Sequence, residues 1–233
     1  PEGLPDFSDG FDVYAGWEIT RKGDNSLTPE QNKLLAYGAP LFLYNDDNVD
    51  SLESTAGTDT LKEMLEEWWE VTDRKSALET ISWLLNEGQH AGADPALAEI
   101  RQRGIEAITE EEKADEDSKI GDAFTIAEFV MGVNETTEAD LPETVLAWDL
   151  VRAVNMARWA FICGYINEDE MWEAIRTTAG IAKESFSSWE EYGNSFAVGR
   201  GIWRGETDDY ETADEVVGAL LNKEDSPWKA IEW

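Results

Sequence analysis

The stretch "DLPETVLAWDLVRAVNMARWAFICGY", residues 140–165, constrains this chain more than any other. Along a helix, Val145, Trp148, Leu150, Val151, Val154, Met156, Trp159, Phe161 and Ile162 fall on every side. A helix that is apolar all round offers no face to water and must be covered by other elements. Its entry carries start signals: Asp140 to cap, Pro142 in the first turn and Glu143 at the capping-box position. The expectation is a buried central helix over residues 143–164 with the fold built around it.

The rest of the chain supplies covering helices. Thr28, Pro29 and Gln31 form a capping box with proline at the first helical position, and Pro40 should break that helix. Leu61, Met64, Leu65, Trp68 and Trp69 recur at i, i+3, i+4, i+7 and i+8, the spacing of one apolar face. The next helix is capped by Thr72 or Asp73, buries Leu78, Ile81, Leu84 and Leu85, and is closed by Gly88. Shorter helices are expected near 95–108 and 119–132. Two more follow over "NEDEMWEAIRTTAGIAKES" and "SSWEEYGNSFAVGRGIW", the second capped by Ser187 with Glu190 or Ser188 with Glu191. A last helix covers "ETADEVVGALLNKE", and Trp228 and Trp233 should pin the tail. "DNVDSLESTAGTD" reads as a linker. Residues 1–26 read as an irregular segment, with a short extended piece through Val13, Ala15, Trp17 and Ile19. The fold class is therefore all-α: one multi-helix domain over 27–233, with eight to ten helices.

In "SSWEEYGNSFAVGRGIW", Trp189, Tyr192, Phe196, Gly199 and Trp203 make a packing stripe. Gly193, Gly199 and Gly201 interrupt it. A phosphate loop would place such glycines before a helix, not inside one. Close approach to the central helix is the better reading.

The central helix also carries Asp149, Arg152, Asn155 and Arg158, polar residues three apart and each within reach of the next. Buried charges need partners. Asp149 with Arg152 is one candidate pair, Arg158 needs a carboxylate from elsewhere, and Arg200 is a candidate partner for Asp149 or a neighbouring acid. The ladder either fixes how helices cross or lines a pocket that grips an anion or a partner carboxylate. These five residues, Asp149, Arg152, Asn155, Arg158 and Arg200, are the candidate ligand- or partner-binding set. Arginine's forked guanidinium suits such anions, and five of the nine arginines (Arg152, Arg158, Arg176, Arg200, Arg204) lie between 149 and 204.

Charge singles out the same block. The net charge is −33, yet residues 149–204 hold eight acids and six bases, so −31 falls on the other 177 residues. Such a surface repels nucleic acid and anionic membranes and suits a basic protein partner, or else reflects the source organism's composition. With 42% hydrophobic and 11% aromatic residues the chain has ample material for a core. No apolar run is long enough for a membrane span. The lone Cys163, in an apolar run, reads as a buried inert thiol, and a single cysteine suits a reducing cytoplasm. The lone His90 follows a helix end and reads as a C-terminal capping or surface residue. No metal site is expected, since zinc sites need more than one of each and "DEDSKIGDAFTIAE" fails the calcium-loop pattern. Nothing matches a phosphate loop, a dinucleotide fingerprint or a nucleophile elbow, and no cofactor is expected. The sequence opens at Pro1 and not at methionine, which is compatible with a removed leader.

Trp148, Asp149, Arg152, Arg158 and Trp159, then Gly164, Tyr165 and Ile166, then Ser188, Trp189, Glu190 and Glu191, closing on Gly199, Arg200 and Trp203, form a pattern. It resembles the bacterial domain of unknown function 1266, a YbeR/YbeU-like family. "EEWWEVTDRKSALETISWLLNEGQH" resembles its upstream part, where a helix precedes Gly-His; here Gln89 stands between Gly88 and His90. The resemblance spans roughly residues 60–205. It implies an all-helical bacterial protein inside the cell, some of whose relatives are encoded near chaperone genes, and it supplies no activity.

The functional expectation is a non-enzymatic protein-binding module whose acidic surface meets a basic partner, in an immunity- or chaperone-related role. The alternative is a binder of, or enzyme acting on, a small anionic ligand in a pocket lined by Asp, Arg and Asn.

Overall fold

The computed structural model describes residues 14–233. The path runs through α1 (Pro29–Leu35), α2 (Ala39–Tyr44), α3 (Thr58–Trp69), α4 (Arg74–Asn86), α5 (His90–Arg103) and α6 (Glu110–Lys113). It continues through α7 (Ile120–Asn134), α8 (Leu146–Ile162), α9 (Glu168–Ser185), α10 (Trp189–Arg204), α11 (Thr207–Asn222) and α12 (Pro227–Ala230). Eight of these have twelve or more residues, and there is no strand among the described residues. Residues 14–26 are irregular, while residues 1–13, including Val13 of the expected extended piece, lie outside the described residues.

Helix α8 is the centre. Every residue from Ala147 to Ala160 is buried, the four polar ones included. Helices α4, α9 and α10 and the 3-10 turn Ala36–Gly38 pack around it. Each large apolar side chain buried in this way contributes roughly 1.5–3 kcal/mol.

The close contacts depend on glycine. At Gly199 a Cβ would stand 2.7 Å from the Cβ of Trp148 and 3.1 Å from the carbonyl oxygen of Val145, so α10 touches α8 through bare backbone. The other two glycines of that stripe serve different neighbours: Gly193 faces Val217 of α11, and Gly201 faces Tyr210 and Ile126.

The local signals at helix starts hold where the cap is near in sequence. Thr28 and Gln31 form the box of α1, and Pro40 lies in the first turn of α2 after the break. Asp73 caps α4, and Ser188 caps α10 by accepting from the backbone of Glu191. The start of α8 departs from expectation. Asp140 does not cap it; its carboxylate accepts from the backbone and hydroxyl of Thr137, and α8 begins six residues later. The caps come from other helices. Asp94 of α5 accepts from the Thr144 hydroxyl at 2.6 Å and the Val145 amide at 2.8 Å, and Ser195 of α10 accepts from the Ala147 amide at 3.1 Å.

The tail is pinned as expected. The Trp228 ring stacks on Trp189 at 5.0 Å, its indole N–H donates to the Ala36 carbonyl, and Trp233 meets Trp189 edge-on at 4.7 Å.

A candidate ligand cleft of tryptophans and arginines

The polar ladder of α8 divides into a sealed part and an open part. Asp149 is wholly buried. Its Oδ1 accepts from the Gln89 amide at 3.0 Å and pairs with Arg152. Its Oδ2 accepts from the His90 amide at 2.8 Å and lies 2.8 Å from His90 Nδ1. The backbone passes so close that a Cβ on Gly88, where φ is +52°, would stand 2.4 Å from the carboxylate. His90 is therefore the first residue of α5 and a partner of a buried acid, not the C-terminal cap or surface group its position after a helix suggests.

Deeper in, Arg158 is fully buried over the Phe42 ring. Its Nη2 donates to the Glu53 carbonyl at 2.7 Å and lies 3.3 Å from Asp47 Oδ1. The carboxylate that Arg158 requires thus comes from the supposed linker, in which Asp47, Asn48, Val49 and Ser51 are all buried. Asp47 also accepts from the amides of Asn48 and Thr55 and the hydroxyl of Ser54. Burial pushes the Arg158 pKa down, and the charge of Asp47 opposes that. Asn155 donates to the carbonyls of Gly38 and Val151. Asp149, Asn155 and Arg158 are thus interior structural groups.

Arg152 and Arg200 reach a cleft. It has a volume of about 640 Å³ and lies between α2, α3, α8 and α10, with Asp209 of α11 at its edge. The guanidinium of Arg152 lies over the Trp148 ring at 4.5 Å and over Trp69 at 5.6 Å. Arg200 lies over Tyr44 at 4.2 Å and pairs with Asp209 at 3.0 Å, so its partner is a neighbouring acid and not Asp149. Arg204 stands at the mouth, 3.6 Å from the other oxygen of Asp209 and about half exposed. A second cavity, of about 940 Å³, adjoins the first and shares Trp68, Trp69, Arg152, Trp203 and Arg204 with it.

The walls hold the residues that sequence reasoning missed. Trp68 was expected on the buried stripe of α3, but it is 77% exposed, while Leu61 and Leu65 take the core. Tyr44, Trp83 and Trp203 are exposed to 38%, 37% and 37%. Among the described residues the only other large apolar side chain so exposed is Val133, and these four all line the two adjoining cavities. Exposed aromatics gathered in one place, in a chain rich in acids, make this cleft the candidate site. A periodicity cannot show that the covering element is missing over one end of a stripe.

His90 and Cys163 line neither cavity. Cys163 is buried, and burial pushes its thiol pKa up. Among the described residues no three His, Cys, Asp or Glu side chains are placed to hold a metal ion, and no helix is long and apolar enough to cross a membrane.

The family described as "protein of unknown function (DUF1266)" matches this chain over residues 64–233, well over half its length and further than the resemblance suggested. The match takes in α8, α10 and α11, and with them most of the cleft. No curated protein and no solved structure matches the chain.

Proposed function

The chain belongs to the DUF1266 family, and for it we propose a ligand-binding role without catalysis, exercised in the cleft of tryptophans and arginines. The observation that carries this reading is the coincidence of exposed aromatics with arginines: Trp68, Trp203 and Tyr44 stand beside Arg152, Arg200 and Arg204. Concave sites of 300–1,000 Å³ with aromatic walls and a few placed polar groups are the usual form of a small-molecule site. Arginines held flat on aromatic rings, in a chain of net charge −33, favour an organic ligand with an anionic group. The lone cysteine and the lone histidine lie off the cleft, and the carboxylate of Asp209 within it is engaged by Arg200 and Arg204, which supports binding over catalysis.

Thermal denaturation in the presence of a panel of aromatic and aliphatic organic anions tests the proposal. A ligand at one hundred times its Kd stabilises the folded chain by about 2.7 kcal/mol. The rise in Tm is expected for the wild type and not for Trp68→Ala. Equal rises in both, or none across the panel, would contradict it.

A second reading rests on the acidic remainder of the surface, where 177 residues carry −31. There the partner is a basic protein. Retention of a bound protein by wild type and Trp68→Ala alike, stronger at low salt, would favour that reading over the cleft.

A further inference from the structure

Around the Trp148 ring, on the α8 and α10 side of the cleft, the side-chain hydrogen-bonding capacity left unused is that of donors. Trp148 is 3% exposed, and its indole N–H is buried without an acceptor. Elsewhere the indole N–H groups of Trp17, Trp172, Trp189, Trp228 and Trp233 each reach an oxygen, at 2.8 to 3.2 Å. Arg152 and Arg200 flank the same ring, at 4.5 and 5.7 Å from its centroid. Arg152 uses Nε on the Trp148 carbonyl and Nη2 on Asp149, and its Nη1 makes no hydrogen bond. Arg200 uses Nε and Nη2 on Asp209, and its Nη1 makes none. Three donors around one indole ring thus have no acceptor within the protein: the buried Trp148 N–H and the two arginine Nη1 groups at the cleft wall. A ligand that covers these arginine groups without supplying acceptors would leave them unpaired at a cost, so the group that fills this place has to bring oxygens.

Charge decides which oxygens. Arg152 is already balanced by Asp149, Arg200 by Asp209, and Arg158 behind the wall by Asp47. Arg200 and Arg204 share the one carboxylate of Asp209, which leaves the cleft one guanidinium in excess, while the adjoining cavity adds Glu67, Glu70 and Glu79 and the rest of the molecule is strongly negative. One surplus positive charge suits a monoanion. A phosphate monoester, a dianion near neutral pH, would add a second negative charge that nothing in the cleft balances. The aromatic walls, Trp69 and Trp159 among them, favour a flat unsaturated body.

We infer that the cleft seats the carboxylate of a flat aromatic monoanion on Arg152, Trp148 and Arg200, with Arg204 at its mouth. This rests on the cleft being a ligand site. Three probes with one ring system separate the alternatives by calorimetry on the full chain at pH 8: naphthalene-2-carboxylate, naphthalene-2-carboxamide and 2-naphthyl phosphate. The carboxylate is expected to bind at least about tenfold tighter than the amide and the phosphate. Trp148→Phe, which keeps an aromatic ring and removes the donor, is expected to weaken it roughly fivefold. Arg204→Ala, at an exposed position, serves where Trp148→Phe does not fold, with a similar loss. Equal or tighter binding of the phosphate or the amide overturns the carboxylate seat and leaves the ligand-binding role standing. Binding by none of the three overturns the seat, and a failed thermal panel then removes the role as well.

Discussion

Asp149 of α8 caps the start of α5, and Asp94 of α5 caps the start of α8. The two carboxylates lock the helices to each other reciprocally, each accepting from the other helix's orphan amides. The two exchanges differ in cost when broken. Asp94→Ala removes a cap and should destabilise by about 1–2 kcal/mol. Asp149→Asn leaves Arg152 buried without its counter-charge and should cost about 3–5 kcal/mol. Urea denaturation of both variants checks the order; a smaller loss for Asp149→Asn would mean that the ladder is not a sealed network.

His90 makes the stability depend on pH. Its hydrogen bond to Asp149 raises the pKa above the ordinary 6.5, with the charges of Asp149 and Asp94 adding to this and burial and Arg152 opposing. A raised folded-state pKa means the protonated ring is favoured by folding. That contribution is complete below about pH 6.5 and is lost as pH rises through the raised value. The chain has one histidine, so its NMR titration is unambiguous. A pKa above 6.5 is expected, along with a urea midpoint that falls from pH 6 to pH 8 and loses this component in His90→Gln. A pKa at or below 6.5 would exclude the coupling.

Gly199 should not tolerate a methyl group. Gly199→Ala drives a Cβ into the backbone and Cβ atoms of α8, and overpacking of this kind costs about 1–3 kcal/mol. Gly180 is the control, exposed on α9 with nothing within 4 Å. Gly180→Ala should stabilise by about 0.5–1 kcal/mol, the helical advantage of alanine. Opposite signs in thermal melts support the contact, and equal effects would refute it.

Trp68 should separate stability from binding. At 77% exposure it adds little to the core, so Trp68→Ala should change stability by no more than about 0.5 kcal/mol. A large loss on urea denaturation would make Trp68 a packing residue and remove it from the cleft's working surface.

What the sequence made legible follows the range of each interaction. Caps within three residues, at Thr28, Asp73 and Ser188, could be read because donor and acceptor are neighbours along the chain. The cap of α8 could not, because Asp94 lies about fifty residues away and the nearer Asp140 offered a local match. The burial of α8 was plain from its all-round apolarity, and the need of Arg158 for a carboxylate followed from it. That Asp47, 111 residues distant, supplies the carboxylate is a matter of tertiary fold. Arg152 and Arg200 stood out as charges in a buried context. Trp68 and Trp203 were assigned to stripes because periodicity reports a face and not what covers it.

Indole resonances offer the most direct test of where the ligand sits. The eleven tryptophan side-chain N–H signals of a ¹⁵N-labelled chain can be assigned by single Trp→Phe substitutions. On addition of naphthalene-2-carboxylate, the signals of Trp68, Trp148 and Trp203 are expected to move while those of Trp17, Trp189, Trp228 and Trp233 stay. Movement confined to the tail tryptophans, or none at Trp148, would contradict the cleft as the binding site.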